Sequence, residues 1–335
     1  MAAPRRPAFS IGGHEVAPGR KARLELPVAT LPTGSSFSLP VSVVHGSRPG
    51  PTVWLSGAIH GDELNGVEII RLVLRELRAS SLAGTVIAAP VVNVFGFITE
   101  SRYLPDRRDL NRSFPGARRG SMASRLAHLF MTEVVDRCDV GIDLHTGSHH
   151  RSNLPQIRCA TDDPTTMALA EAFAAPVTVH SALRDGSLRA ACVKRDIPIL
   201  LYEAGEAHRF DDFAIAEGVA GVLRVLAHLE MRPVGDDAPA GRTQLVDTTS
   251  WVRAGRSGLF RLSTALGARV AQGEELGAVA DAHGQSRGTV RAPFDGVVIG
   301  MTQNPQVSQG DALVHVADVG PDRPRRRGVA RDPRR

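Results

Sequence analysis

The sequence predicts an α/β domain built on a mainly parallel mixed sheet with helices on both faces, followed by a small all-β domain. Two observations carry this. Between about residues 38 and 230, apolar runs of strand length alternate with amphipathic stretches of helical period. Beyond the Gly-, Pro- and Asp-rich stretch RPVGDDAPAGR at 232–242, the helical period vanishes and short alternating strands with Gly turns replace it. The predicted divisions are 1–235, 243–319 and a terminal segment, 320–335.

In chain order, the first 38 or so residues are interrupted by Pro and Gly and offer one or two edge strands, such as ARLELPVATL. The strand-like runs that follow are LPVSVVHG, TVWLSG, TVIAAPVVN, VGIDLH, APVTVH and PILLYEAG. The helical stretches between them are LNGVEIIRLVLRELRASS, SMASRLAHLFMTEVVDRC, DPTTMALAEAFA and DDFAIAEGVAGVLRVLAHLE. After the linker come SGLFRLS, ARVAQGEELGAVAD, GTVRAPFDGVVIGMT and DALVHVAD. Their VAQGEELGAV and APFDGVVIG elements resemble the barrel-sandwich domains of biotinyl and lipoyl carriers. Such carriers need an acceptor lysine, and the only lysines in the chain are Lys21 and Lys194. A carrier role is excluded; a lid, a wall beside the first domain or a contact in a homo-oligomer fits instead.

Composition removes other classes. The net charge of +5 hints at nucleic acid, but the last fifteen residues hold seven Arg against two Asp and account for all of it. The folded part has no excess of positive charge to drive phosphate binding. The Arg-rich tail, with no apolar periodicity, reads as disordered. No apolar run approaches the ~20 residues that span a bilayer. The basic N-terminus lacks the apolar core of a secretion signal, so a cytoplasmic protein is expected. Cys138, Cys159 and Cys192 are too few and too scattered for a disulfide framework and read as buried thiols.

The chemistry concentrates in a few places. His60 and Glu63 lie on the turn between a buried strand and a helix, three residues apart, and His145 ends a second apolar strand. Strand ends beside helix starts are where open α/β sheets place their sites. Two imidazoles and a carboxylate are the donors of a catalytic zinc site with an open position, and Asp143 is placed to orient the His145 ring. A lone HxxE is also common on solvated helix turns, so the other motifs decide. SRYLPDRRDLNRSFPG, from Ser101 to Gly116, is dense in Arg, Asp and Asn. Arg112 with Asn111 suits a substrate carboxylate, and Arg102 or Arg108 suits the oxygen that turns negative when water attacks a carbonyl. A surface ion-pair cluster, with Asp106 and Asp109 balancing the arginines, is the competing reading. Glu203 ends the apolar run IPILLYEAG; desolvation there would raise its pKa toward the range of a general base. Glu206, in a more polar stretch, is its rival, and an N-cap role is the plainer alternative.

Taken together, HGDE, DLNRSFPG, DLHTG and YEAG resemble the succinylglutamate desuccinylase/aspartoacylase family, relatives of the zinc carboxypeptidases, over roughly residues 40–320. The resemblance implies a zinc-carboxypeptidase-like catalytic domain holding one zinc ion per chain on His60, Glu63 and His145. It implies Glu203 as general base and Asn111 with Arg112 as the grip on a substrate carboxylate. The family's other active-site arginine best matches Arg102, but the interval to DLNR is longer here, which keeps Arg108 in play. The activity implied is hydrolysis of an N-acyl amide on a small amino acid or related amine, with a narrowed entrance formed by the β domain. A peptide-directed carboxypeptidase and a non-catalytic binding protein of the same fold are the alternatives. Arg184, Arg189, Lys194, Arg151 and Arg158 are candidates for a second acidic group on the substrate, or for surface pairing.

Overall fold

The computed structural model describes residues 6–30, 33–235 and 243–319. Most of the expected linker and the whole of the Arg-rich tail lie outside the described residues.

A thirteen-stranded mixed sheet organises the molecule. At its centre four parallel strands run in the order Ala83–Ala89, Arg48–Gly57, Val140–Gly147 and Ile199–Glu206. Period-two burial shows why these stretches are strands. Val53 and Leu55 enter one core while Trp54, between them, enters the other. The first core is covered by the helices Asn65–Glu76, Pro164–Phe173 and Asp212–His228, and the second by Met122–Glu133. Side-chain caps start three of them: Ser121, Asp163 and Asp211 each accept a backbone N–H from the first turn.

The sheet is less parallel than the sequence suggests. Parallel pairing dominates only where βα crossovers return the chain in the same direction. On one side, Ser36–His45 and Arg20–Thr30 continue the sheet as an antiparallel hairpin. On the other, Arg151–Cys159 lies antiparallel to Ile199–Glu206. This strand, RSNLPQIRC, carries no strong apolar pattern and is not marked by periodicity.

Arg151–Cys159 also joins the two halves of the chain. Its outer edge pairs antiparallel with Gly296–Thr302, in the register Gly300↔Asn153, and the sheet runs on through Ala312–Ala317 to Thr249–Arg253. Gln244–Val246 pairs in parallel with Val177–His180 of the first half. A separate four-stranded antiparallel sheet of the C-terminal region, Ser286–Arg291, Glu275–Ala280, Gly258–Leu262 and Gln306–Val307, shares an apolar core with these strands through Phe260, Leu276, Val298 and Leu313. The three cysteines are free and buried. Among the described residues, no helix is long and apolar enough to cross a membrane.

Candidate active site

His60 and Glu63 occupy the turn between Arg48–Gly57 and Asn65–Glu76, closed by the Glu63 N–H donating to the His60 carbonyl at 3.1 Å. Gly61 between them has no room for a side chain: a Cβ would stand 1.9 Å from the Gly96 carbonyl carbon. The turn is thereby pressed onto the backbone of the short helix Val94–Ile98. His145 lies near the end of the adjacent strand Val140–Gly147, whose register against Arg48–Gly57 (Gly57↔Leu144) brings it alongside.

Glu63 is the centre of the cluster. Its Oε1 meets His60 Nδ1 at 2.7 Å, and its Oε2 meets His145 Nδ1 at 2.7 Å and the Thr146 N–H at 3.1 Å. Each imidazole is held from behind by another carboxylate, His60 Nε2 by Asp109 at 3.2 Å and His145 Nε2 by Asp143 at 2.8 Å. Asp143 is itself fixed by the Ser56 hydroxyl at 2.8 Å. All these groups except Asp109 are nearly inaccessible to solvent. Burial alone would push the His145 pKa down, but Asp143 and Glu63 outweigh it and hold the ring well above the usual value. Burial is likewise outweighed at His60, raised by Glu63 and Asp109, and at Glu63, which the two imidazoles hold far below the usual carboxylate range.

One donor atom from each of His60, Glu63 and His145 lies within 4.8 Å of the others. Both rings turn the same nitrogen to one carboxylate and have the other nitrogen anchored by an acid. That donor set and backing fit a divalent metal such as zinc.

Glu203 sits in direct register with His145 across the parallel ladder, and both line one pocket. Its surroundings differ from the apolar setting that its strand implies. Arg151–Cys159 runs beside it, so Asn153 Nδ2 donates to its Oε2 at 2.9 Å and Arg158 Nε lies 3.4 Å away. Glu203 is a partly solvated, paired carboxylate, its side chain 21% exposed. Glu206 does not line this pocket; it is buried beside the Ser152 hydroxyl at 3.3 Å.

The Arg-rich loop separates its two candidate arginines. Arg102 lines the pocket, 2.9 Å from Asp109 and 3.4 Å from Glu63 Oε1. Arg108 is not brought there. Leu104 is buried in the core, and a tight loop from Leu104 to Arg108, with Arg107 at a φ of 60°, turns Arg108 outward. Its side chain is 63% exposed and faces Asp106 at 3.7 Å. The residues just ahead of DLNR form that loop. Asn111 and Arg112 share one 3₁₀ turn, capped by Asp109 accepting the Asn111 N–H at 2.8 Å, and both line the pocket. Asn111 Oδ1 accepts from the Leu188 N–H at 2.9 Å, which commits its oxygen and leaves its NH₂ as the free donor. Arg151, Arg158, Arg184 and Arg189 also line the pocket, whereas Lys194 is exposed elsewhere.

Asn153 and Trp251 gain an importance that the sequence does not assign them, and Asp109, expected only as a counter-charge to the loop's arginines, gains a wider one. Asp109 holds His60, holds Arg102 and caps the turn; its place just ahead of LNR was the available signal. Asn153 gave none, since its strand reads as a loop. Trp251, from the C-terminal region, lines the same pocket.

Comparison with known proteins agrees with this geometry. The family model described as the succinylglutamate desuccinylase/aspartoacylase catalytic domain matches residues 49–229. N-alpha-acetyl-L-2,4-diaminobutyric acid deacetylase of Halomonas elongata is 29% identical over 310 residues, covering 88% of this chain and 90% of that protein. A succinylglutamate desuccinylase/aspartoacylase from Rhodobacter sphaeroides superposes with a TM-score of 0.79 at 29% identity, covering 89% of this chain and 95% of the other. The product-bound ectoine utilization protein EutE (DoeB) of Ruegeria pomeroyi gives a TM-score of 0.79 at 27% identity, with the same coverage, 89% and 95%.

Proposed function

This chain belongs to the succinylglutamate desuccinylase/aspartoacylase family, and from that premise we propose that it is a zinc-dependent amidohydrolase that removes an acyl group from a small N-acylated amino acid or related amine. The observation that carries the reading is the convergence of His60, Glu63 and His145 on one centre, with Glu203 in register beside His145 in the same pocket.

When bound by His60, Glu63 and His145, zinc supplies an acidified water and a polarised carbonyl. Glu203 takes the proton from the attacking water and returns it to the leaving amine, with Asn153 and Arg158 fixing its carboxylate. Arg102, rather than the outward-facing Arg108, donates to the oxygen that gains charge. The Asn111 NH₂ and the Arg112 guanidinium hold the substrate carboxylate, so the scissile amide is presented in one orientation. Relatives support the class of reaction: the Halomonas protein is named as a deacetylase of a small N-acetylated amino acid.

The test couples metal analysis of the purified protein to amine release from a library of N-acetyl, N-succinyl and N-formyl amino acids, with dipeptides alongside. One zinc per chain and cleavage of acylated amino acids in preference to dipeptides is expected. Preference for dipeptides would turn the reading to a carboxypeptidase. Stoichiometric metal with no hydrolysis of any acylated amine would remove the enzyme reading.

A further inference from the structure

Six arginines line the pocket: Arg102, Arg112, Arg151, Arg158, Arg184 and Arg189. Only two carboxylates line it with them, and both are engaged, Glu63 by the two histidines and Glu203 by Asn153 and Arg158. A wall with this imbalance favours a ligand carrying more than one negative charge.

Arg151 is the arginine whose placement needs explaining. It has no carboxylate within ion-pair distance among the described residues, yet it is not loose. Its guanidinium carbon lies 5.2 Å from the Trp251 ring centroid, over the indole. Trp251 is stacked on His315, with ring centroids 4.6 Å apart and planes inclined by 9°. Both aromatic residues come from the C-terminal region, on paired strands in the register Trp251↔His315. Gly300 of the neighbouring strand permits the stack to sit close to Asn153; a Cβ there would fall 2.9 Å from Asn153 Oδ1 and 3.2 Å from His315 Cβ. Burial, and then Arg158, push the His315 pKa down to about 3, so its ring is neutral and adds no charge against Arg151.

We propose that Trp251, seated on His315, is a positioning residue that holds Arg151 in the pocket as a subsite for a second acidic group of the substrate. The subsite is additional to the carboxylate grip of Asn111 and Arg112. The proposal rests on the deacylase reading for its substrate, a small N-acylated amino diacid, but the subsite itself binds an anion whether or not turnover follows.

Two measurements separate those claims. The first compares kcat and KM for N-acetyl-L-glutamate, its uncharged-side-chain analogue N-acetyl-L-norvaline, and N-alpha-acetyl-L-2,4-diaminobutyrate, whose side chain is cationic. The diacid is expected to lead by roughly tenfold or more in kcat/KM, mainly through KM. Arg151→Ala should cut the diacid-to-norvaline ratio by roughly tenfold, Trp251→Ala should do the same, and Trp251→Phe should restore most of it. The second measurement titrates glutarate against intrinsic fluorescence. The chain has two tryptophans, and Trp54 is fully buried in the core, so Trp251 is the reporter. Millimolar glutarate should change its emission, with affinity lowered by roughly tenfold in Arg151→Ala; an unchanged thermal transition shows that this variant folds.

A ratio near one in the wild type, or a ratio indifferent to Arg151, overturns the subsite while leaving the deacylase reading intact. Arg151-dependent glutarate binding with no cleavage of any acylated amine does the reverse. Arg151-independent glutarate binding also overturns the proposal, because the anion is then held elsewhere.

Discussion

Two groups of side chains lining the pocket are built on opposite principles. In the His60–Glu63–His145 group every charged side chain already has its partners, and most have two. Elsewhere in the lining, Arg151, Arg184 and Arg189 have no carboxylate paired to them among the described residues. Buried polar groups are normally satisfied within the protein. Where they are, the geometry is set before any ligand arrives. Of the three unpaired arginines only Arg189 is buried; Arg151 is half-buried and Arg184 exposed. The first group is suited to chemistry and the second to recognition, a division that substitutions can break.

Glu203 adjoins both groups, in register with His145 and paired with Arg158, and its replacement should have the largest effect. Glu203→Gln keeps the shape and the Asn153 contact but removes the carboxylate proposed as the base. Turnover is expected to fall by roughly 10²–10⁴ with metal content unchanged. Loss of metal in that variant would show that Glu203 belongs to the ligand cluster instead. A smaller effect is expected from Asp143→Ala, which frees the back of the His145 ring. Zinc affinity, measured by competition with a chelator, should drop by roughly 10–100-fold. An unchanged affinity would mean that the pairing in this group is not what orients the ligand.

The pH dependence sharpens the contrast within the first group itself. The raised pKa values of His60 and His145 contribute stability fully below the ordinary value of 6.5, and this is lost as pH rises through the folded-state values. The depressed pKa values of Glu63 and Asp109 contribute above their ordinary 4.5 and 3.8 and are lost only as pH falls toward the folded-state values. The metal-free chain should therefore have its highest Tm at roughly pH 5–6 and lose stability above neutrality. Zinc must displace ring protons, so its stabilisation should grow over the same rise in pH. Thermal melts from pH 5 to 8.5, with chelator and with zinc, check both slopes; parallel curves would sink the assignment of proton and metal to the same nitrogens.

The smallest effect tests the recognition group. Arg189 is 8% exposed, donates to the Ser181 hydroxyl and the Ala182 carbonyl, and has a buried Nη1 with no partner. Arg189→Met should stabilise the free protein by about 1 kcal/mol in urea unfolding, since an unmet buried donor is removed. It should weaken substrate binding at the same time. Loss of stability would show that this guanidinium is structural.

Much of this was legible from residues that must be what they are. HGDE on a strand-to-helix turn and DLHTG at a strand end placed the three central donors, because backbone period and donor type both constrain those positions. Asn111 and Arg112, singled out by side-chain chemistry within DLNR, line the same pocket. The choice between Arg102 and Arg108 was not legible, because it depends on Leu104 finding the core and reversing the chain, a tertiary event with no local pattern. Nor was the setting of Glu203. Its own strand is apolar, but the polar neighbours arrive on RSNLPQIRC, which has a proline and two arginines in nine residues and no alternation to mark it. The same hidden strand explains why the sheet is mixed rather than mainly parallel, and why the C-terminal region reads as an appendage although its backbone continues the sheet.

That shared ladder has a practical meaning. Gly296–Thr302 is zipped by main-chain hydrogen bonds to the very strand that carries Asn153 and Arg158. The C-terminal region cannot swing aside like a door on a hinge without tearing a seam that supports the Glu203 carboxylate. A polypeptide cut after residue 235 should not survive as a smaller, more open enzyme; it would present a raw strand edge to its neighbours and precipitate.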